Sequence, residues 1–372
     1  MASVLRRDKG KGGMIYRRIQ LFIIGLVVFS FTIVALPTQK AVSLIENSDT
    51  PLNPKAGWTL MLEEIFRITD ESEDYYFRNP RNVQVGPKGC IYLTDKEQFL
   101  KFSSEGKFIR NMYKKGQGPG EIQNYIKYTF CNNKIYVYDF QPGKLICFDL
   151  EGKFIEEKRL KERLGNFFGC LDGRFIFLRT VWPSMDDRKG EFFFIENRIC
   201  HIGFDGTQLM LGKNIPTKAE VLSGGGARFY PATNVRSTDG QLLYFNGSTD
   251  YAIDVINLVD GDISHRFSRK YQSVKYPEPT EKPKRPSSGM RPKYMRDIEA
   301  MFARKDSLWV ATSKNDPEKG DLFDVFDMEG RYTDSFYVKG GGRVDAVFDE
   351  WLFKVERDED GIYSIVKYRF KK

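Results

Sequence analysis

The sequence is poor in the residues from which metal centres and nucleophilic centres are usually built. Its 372 residues include two histidines, His201 and His265, and five cysteines without a C-x-x-C spacing. A zinc site usually needs several such ligands, so we expect no metal site. The motifs GxSxG and HExxH are also absent, and no cysteine has a plausible histidine base. We therefore predict no catalytic residues and no cofactor.

Helical periodicity is missing over any long stretch after residue 60, and there is little net positive charge outside the N-terminus. The formal net charge is +8, but residues 1–40 contain seven basic residues and one acid, a net charge of +6. The remaining 332 residues therefore carry only +2. A nearly neutral body is not typical of a phosphate-binding surface, so we expect no nucleic-acid partner.

The N-terminus contains the one long apolar run. Residues 19–36 read IQLFIIGLVVFSFTIVAL, 18 residues without a charge, directly after Arg17 and Arg18. This pattern predicts a basic cytoplasmic leader at 1–18, a signal anchor or signal-peptide helix at 19–36, and a polar linker at 37–57. The expected location is the cytoplasmic membrane, spanned once, with the body on the periplasmic or extracellular side. If the leader is cleaved, the protein is secreted.

After residue 57, short apolar runs alternate with turns that contain glycine or Asp-Gly. The runs that follow the first turn of each unit can be aligned, and there are six of them: Ile91–Asp95, Ile135–Asp139, Phe175–Arg179, Leu242–Asn246, Leu308–Thr312 and Trp351–Val355. Each is preceded by one strand and followed by two more. Repeated four-stranded antiparallel units are typical of a β-propeller. The sequence predicts an all-β, six-bladed β-propeller over 58–372.

The last unit reaches the C-terminus one strand short. The run Leu60–Ile68 precedes the first unit and has no other assignment. We predict that this N-terminal strand becomes the outer strand of the last blade, because that arrangement closes the ring and removes a free sheet edge.

Two motifs carry a family resemblance. FRNPRNVQVGPKGCIYLTD at 77–95 and KKGQGPGE at 114–121 make the chain similar to the bacterial six-bladed β-propeller proteins related to NHL repeats, over about residues 58–370. The resemblance implies an exported protein. Exported members are often lipid-anchored, but the first cysteine here is Cys90, so anchoring would use the N-terminal helix.

Propeller geometry separates two faces. Connections between strands one and two, and three and four, are short here, whereas strand two–three and blade-to-blade connections contain long insertions at 180–196, 215–233, 271–296 and 313–320. Function tends to reside in loops of a rigid scaffold, so we expect binding at this long-loop face. The candidate binding residues are Asp95, Asp139, Arg179, Trp182, Arg228, Tyr230, Asn246, Arg296, Thr312 and Arg343. The strand-end residues among them could instead cap turns.

The favoured function is a non-catalytic recognition propeller that binds a protein or glycan ligand in the cell envelope, with the N-terminal helix in the membrane. One alternative is a structural subunit of an envelope complex. Another is a hydrolase or lyase with a metal in the channel. Asp95, Asp139 and Asn246 offer oxygen ligands for calcium, but Arg179 at the matching position would oppose a cation.

Overall fold

The fold is made of antiparallel sheets that follow one another along the chain. The computed structural model describes residues 42–70, 73–124, 126–161, 164–188, 192–221, 227–229, 232–277 and 293–371. Two strands precede the first sheet, β1 at Ser43–Asn47 and β2 at Trp58–Ile68. Two short 3-10 helices lie at Pro87–Gly89 and Met185–Asp187.

The first three blades are consecutive. Blade one comprises β3 Arg81–Val85, β4 Ile91–Asp95, β5 Gln98–Phe102 and β6 Phe108–Asn111. Blade two comprises β7 Ile126–Cys131, β8 Lys134–Asp139, β9 Lys144–Asp149 and β10 Phe154–Arg159. Blade three comprises β11 Phe167–Leu171, β12 Arg174–Val181, β13 Phe192–Gly203, β14 Gln208–Val221 and β15 Ala227–Phe229.

The remaining blades follow in the same order. Blade four comprises β16 Thr233–Arg236, β17 Leu242–Asn246, β18 Ala252–Asn257 and β19 Ile263–Arg269. Blade five comprises β20 Ile298–Ala303, β21 Leu308–Asp316, β22 Gly320–Phe326 and β23 Tyr332–Val338. Blade six comprises β24 Arg343–Phe348, β25 Trp351–Arg357 and β26 Tyr363–Lys371, completed by β2. The predicted six-bladed propeller is confirmed.

The hydrophobic core is divided among the interfaces between neighbouring blades. One cluster joins Tyr92 and Phe99 of blade one to Ile135 of blade two. Corresponding clusters lie at the other five interfaces, including the one that joins Phe353 of blade six to Ile91 of blade one. Because each sheet is covered on both faces, a middle strand can be buried along its whole length instead of alternating between buried and exposed residues. All five residues of β4 are buried.

The ring is closed as predicted. Strand β2 pairs antiparallel with β26 from Met61 to Ile68, and Ile68 lies opposite Ile365. The first three residues of β2 also pair in parallel with β23 of blade five. The strand therefore joins the last two blades and covers an edge that would otherwise be open.

The segment expected to be a linker is partly ordered against the ring. Strand β1 pairs in parallel with β19 and adds a fifth strand to blade four. Further on, the backbone N–H groups of Leu52 and Asn53 donate to carbonyls of blade five at 3.0 and 2.9 Å. This segment is ordered because the outer strands of blades four and five have backbone N–H and C=O groups on their open edges, and a short polar segment can pair with these groups.

One disulfide crosses a blade interface. Cys131 at the end of β7 is bonded to Cys170 in β11, 39 residues further on. Cys90 is half-buried and free, and Cys147 and Cys200 are buried and free. The sequence left the pairing of the five cysteines open, because the two bonded residues become neighbours only when blades two and three pack together.

The predicted leader at 1–18 and helix at 19–36 lie outside the described residues. Within the described ranges, no helix has the length and apolar character needed to cross a membrane.

Candidate functional site

The predicted strand-end carboxylates are bonded to their own connections. Asp95 at the end of β4 is buried and accepts the backbone N–H groups of Arg78 and Asn79 at 2.6 and 3.0 Å. Asp139 at the end of β8 is also buried and accepts the N–H of Gln123 at 2.7 Å. Burial raises the pKa of both carboxyls, and these donors partly offset the rise. Both residues fix a blade-to-blade connection against the end of strand two.

The equivalent residues of blades four and five hold hairpins. Asn246 donates to the carbonyls of Asp250 and Ala252 at 2.9 and 2.7 Å. Thr312 donates to the carbonyl of Leu322 at 3.2 Å. In blade three, Arg179 lies opposite Arg198 in the β12–β13 ladder. Asn246 ends the second strand of its blade, as Asp95 and Asp139 do, whereas Arg179 and Thr312 lie inside β12 and β21, which continue to Val181 and Asp316. None of the five lines the cavity between the inner strands of blades one to four. The structure therefore does not bring them together, and their part in ligand binding remains a prediction.

The predicted linker arginines connect blades. Arg343 donates to the carbonyl of Pro80 at 3.0 Å and pairs with Asp345 at 2.7 Å. Arg296 donates to Thr233 Oγ1 at 2.6 Å. The predicted residue Tyr230 lies outside the described residues, as does the side chain of Arg228 in β15.

The motif GQGPGE shapes the connection between blades one and two. Glu121 turns back to accept the N–H of Gly118 at 2.9 Å and pairs with Lys114 at 2.7 Å. Gly120 has a φ of +73°, and a Cβ there would lie 2.9 Å from the ring of Phe154. The motif therefore has the structural role that its glycines suggest.

Blade three extends beyond the ring at the long-loop face. A register shift between Asn197 and Ile199 marks where the extension begins, and Asn197 Nδ2 donates there to the carbonyl of Ile215 at 3.0 Å. Past this point, Phe192–Asn197 of β13 continues to pair with β14, which pairs in turn with β15. We call this extension, formed by 180–182, 192–197 and 215–221 with β15, the blade-three arm.

The blade-three arm has one covered face and one exposed face. Phe193, Ile195 and Ala219 are buried together on the first. On the other, Phe192 and Phe194 are 45 and 53% exposed, with ring centroids 5.8 Å apart. Lys218 Nζ lies 4.6 Å from the centroid of the Phe192 ring.

The predicted residue Trp182 belongs to the same arm. It is 41% exposed, and the Arg188 guanidinium lies 5.6 Å from its ring centroid. The arm therefore presents aromatic rings alongside cations, as interface residues often do.

A second candidate site lies on the axis. The inner strands of blades one to four surround a cavity of about 470 Å³, within the range of small-molecule pockets. Its wall carries three amides, Asn82, Gln84 and Asn234, two cations, Lys127 and Arg236, and one carboxylate, Asp239, which accepts from Ser237 Oγ and from the N–H of Gln241. We call this the channel cavity.

The two cations of the channel cavity differ in their hydrogen-bond partners. The guanidinium of Arg236 donates to the carbonyls of Phe168 and Cys170 at 3.3 and 3.1 Å, and also to the carbonyl of Gly240. Lys127 is half-buried, and no described residue gives it a hydrogen bond or an ion pair. Burial lowers the pKa of the Lys127 amine.

The sequence analysis missed the channel residues although a signal was present. In β7, Lys127 and Thr129 alternate with the buried Ile126 and Tyr128. A period of two marks one face of a strand as polar. In an inner strand, that face borders the channel, which a count of loop lengths does not reveal.

The comparisons with known proteins support the architecture. A family model described as a 6-bladed beta-propeller matches residues 69–297. The chain belongs to this family. No curated protein shows significant sequence similarity to it.

Solved structures share the propeller fold at low identity. A Bacteroides fragilis protein assigned to export has a TM-score of 0.56 and 14% identity, over 89% of this chain and 100% of that one. A gluconolactonase from Xanthomonas campestris has a TM-score of 0.46 and 10% identity, over 83 and 99%. A PQQ-bound aldose sugar dehydrogenase from Streptomyces coelicolor has the same score and identity, over 85 and 100%. The similarity to the Bacteroides fragilis protein supports a common fold, and none of these similarities assigns an activity to this chain.

Proposed function

We propose that this six-bladed propeller is a non-catalytic recognition module outside the cytoplasmic membrane, and that it binds a protein through the blade-three arm. The observation that carries the proposal is the pair Phe192 and Phe194, two large aromatic side chains that are about half exposed and contact one another. Large exposed aromatic side chains that adjoin one another are typical of an interaction surface. Lys218 and Arg188 lie over arm aromatics and favour an acidic partner.

The location outside the cytoplasm is supported by two independent features. The Cys131–Cys170 disulfide joins two blades, and such bonds persist mainly in oxidising compartments. The basic leader and apolar run at 1–36 match a signal for export. An uncleaved run would anchor the propeller in the membrane, and cleavage would release it.

Binding is favoured over catalysis by the composition of the site. In the part of the chain that the structure describes, no group of three or more His, Cys, Asp or Glu residues is arranged to hold a metal ion. The carboxylates that a channel metal would need, Asp95 and Asp139, are bonded to backbone N–H groups of the connections.

The test uses a photo-crosslinking residue in place of Phe192 or Phe194, in the full chain within its native envelope. A matched control carries the same residue at Phe348, which is 48% exposed and lies at a turn on the short-loop face. We expect one saturable protein adduct at the arm positions and none at Phe348. Excess purified wild-type protein should suppress the adduct, whereas the Phe192→Ser, Phe194→Ser double variant should not.

Several results would overturn the proposal. Adducts of equal yield at Phe348, or an adduct that the double variant suppresses as well as wild type, would show that the arm is not the site. If the adduct contained only carbohydrate, the partner would be a glycan and not a protein. A partner held in fixed stoichiometry through purification would favour a structural subunit of an envelope complex.

A further inference from the structure

Lys127 is half-buried on the wall of the channel cavity and differs from the lysines that the propeller buries fully. Lys101 donates to the carbonyl of Leu150 at 2.7 Å and pairs with Glu151. Lys144 donates to the carbonyl of Gly118 at 3.2 Å and pairs with a glutamate at 3.0 Å. Lys354 donates to a carbonyl at 2.9 Å.

Each of those three amines is therefore compensated within the protein, as burial of a charge requires. Lys127 has no such partner among the described residues, and burial alone lowers its pKa. An uncompensated amine on the wall of a cavity costs stability, and an anion from outside the chain would remove that cost.

Lys127 also lies where two cavities meet. It lines the channel cavity with Asn82, Gln84 and Asn234. It also lines a second cavity of about 300 Å³ with Tyr138 and other residues that include Phe140 and Phe167. The amine therefore has side-chain amides on one side and aromatic rings on the other.

This combination selects a class of ligand. An amine pairs with a carboxylate, amides donate to and accept from hydroxyls, and aromatic rings cover the apolar face of a pyranose ring. We propose that the channel cavity binds a carboxylate-bearing sugar, a uronic acid, with its carboxylate on Lys127, its hydroxyls on the amides and its ring towards Phe140, the exposed aromatic residue of the adjoining cavity. This site is separate from the blade-three arm and does not depend on the proposed protein partner.

Calorimetric titration of the full chain with D-galacturonate, D-glucuronate, D-galactose and D-glucose tests the proposal. We expect a uronate to bind about tenfold or more tightly than its neutral counterpart, the loss typical of one charged hydrogen bond. Lys127→Met should abolish that preference. The exposed Lys107 supplies the matched control, and Lys107→Met should leave it unchanged.

Thermal unfolding without ligand shows that the variant is folded. Lys127→Met should unfold at the same temperature as wild type or higher, because it removes an unpaired, half-buried amine and keeps the volume of the side chain. The Phe192→Ser, Phe194→Ser variant should retain uronate binding, which separates this site from the arm.

Four outcomes would overturn the proposal. These are equal affinity for neutral sugars, no binding of any of the four sugars, uronate binding that survives Lys127→Met in a folded protein, and inorganic phosphate binding as tightly as a uronate. The last would show an anion site without sugar recognition.

Discussion

At the scale of single residues, the most enclosed charge pair lies between blades four and five. Arg269 and Asp324 are buried, with 2.7 Å between nitrogen and oxygen. The hydroxyls of Tyr251 and Tyr332 donate to Asp324 at 2.6 and 2.7 Å. The guanidinium lies 4.9 Å from the ring centroids of Tyr251, Tyr271 and Tyr332. Both charges are therefore satisfied without water.

Removing the charge of Asp324 should be costly. Asp324→Asn leaves the Arg269 guanidinium buried without its counter-ion, and we expect the free energy of unfolding to fall by about 3–5 kcal/mol. Urea denaturation measures the loss. Glu329→Gln on the same blade breaks an exposed pair with Arg331 and should cost at most about 1 kcal/mol. Equal losses in the two variants would contradict the argument.

Sequence reasoning located some site residues and missed others, for a physical reason. Strand ends can be found from pattern, so Asp95, Asp139 and Asn246 were identifiable. Asn246 bonds within its own hairpin turn, whereas Asp95 and Asp139 bond to blade-to-blade connections about 16 residues earlier in the chain. Whether a strand residue borders the channel depends on which strand is innermost and which way it faces. The alternation in β7 places Lys127 on the polar face of a strand, but only the assembled ring shows that this face borders the channel.

At the scale of elements, the two N-terminal strands have different tasks. Strand β2 supplies the outer strand of blade six and is paired over its length with β26 and β23. Strand β1 adds only an outermost strand to blade four. The first completes the ring, whereas the second covers an edge of a sheet that is already complete.

Truncation should separate these tasks. Relative to a chain that starts at residue 42, a chain that starts at residue 50 lacks β1 and should still unfold cooperatively as a monomer, at a moderately lower temperature. A chain that starts at residue 70 also lacks β2, so we expect it to lose the cooperative transition and to associate through exposed edges.

Calorimetry and light scattering measure both effects. Indistinguishable melting of the two shorter chains would show that β2 does not close the ring in solution.

Strand placement followed from the sequence wherever a run of apolar residues met a glycine-containing turn. This is why the six second strands and the closing strand were predicted. Strand β1, with the sequence SLIEN, has neither signal, because it is stabilised by pairing with β19 rather than by its own burial. The extent of the blade-three arm was likewise hidden, since it depends on pairing between distant segments.

At the scale of the whole molecule, stability depends on contacts between neighbouring blades rather than on one central core. Each interface has its own hydrophobic cluster. The interface of blades two and three has a covalent link in addition, between Cys131 and Cys170. Lys127 belongs to blade two, and the second cavity that it lines lies between these two blades.

Loss of the disulfide should weaken the ring measurably. For a closed loop of 39 residues, the chain-entropy model gives up to about 4 kcal/mol. We expect the Cys131→Ala, Cys170→Ala variant to lose up to that amount in urea denaturation. Dithiothreitol should lower the free energy of unfolding of the wild type to that of the variant, and it should leave the stability of the variant unchanged. A reductant effect of the same size on the variant would mean that other thiols are responsible.

The pairing of β2 with β26 also constrains when the protein can finish folding. The partner of Met61 is Lys371, so β2 is made early during synthesis but cannot complete its pairing until β26 has also been made. Blades one to four can pack on one another while the chain is still being synthesised. The ring cannot close at that stage, because β26 has not yet been made. A chain that stops at residue 362 has no β26, leaves one edge of β25 and most of β2 unpaired, and should be a substrate for proteolysis.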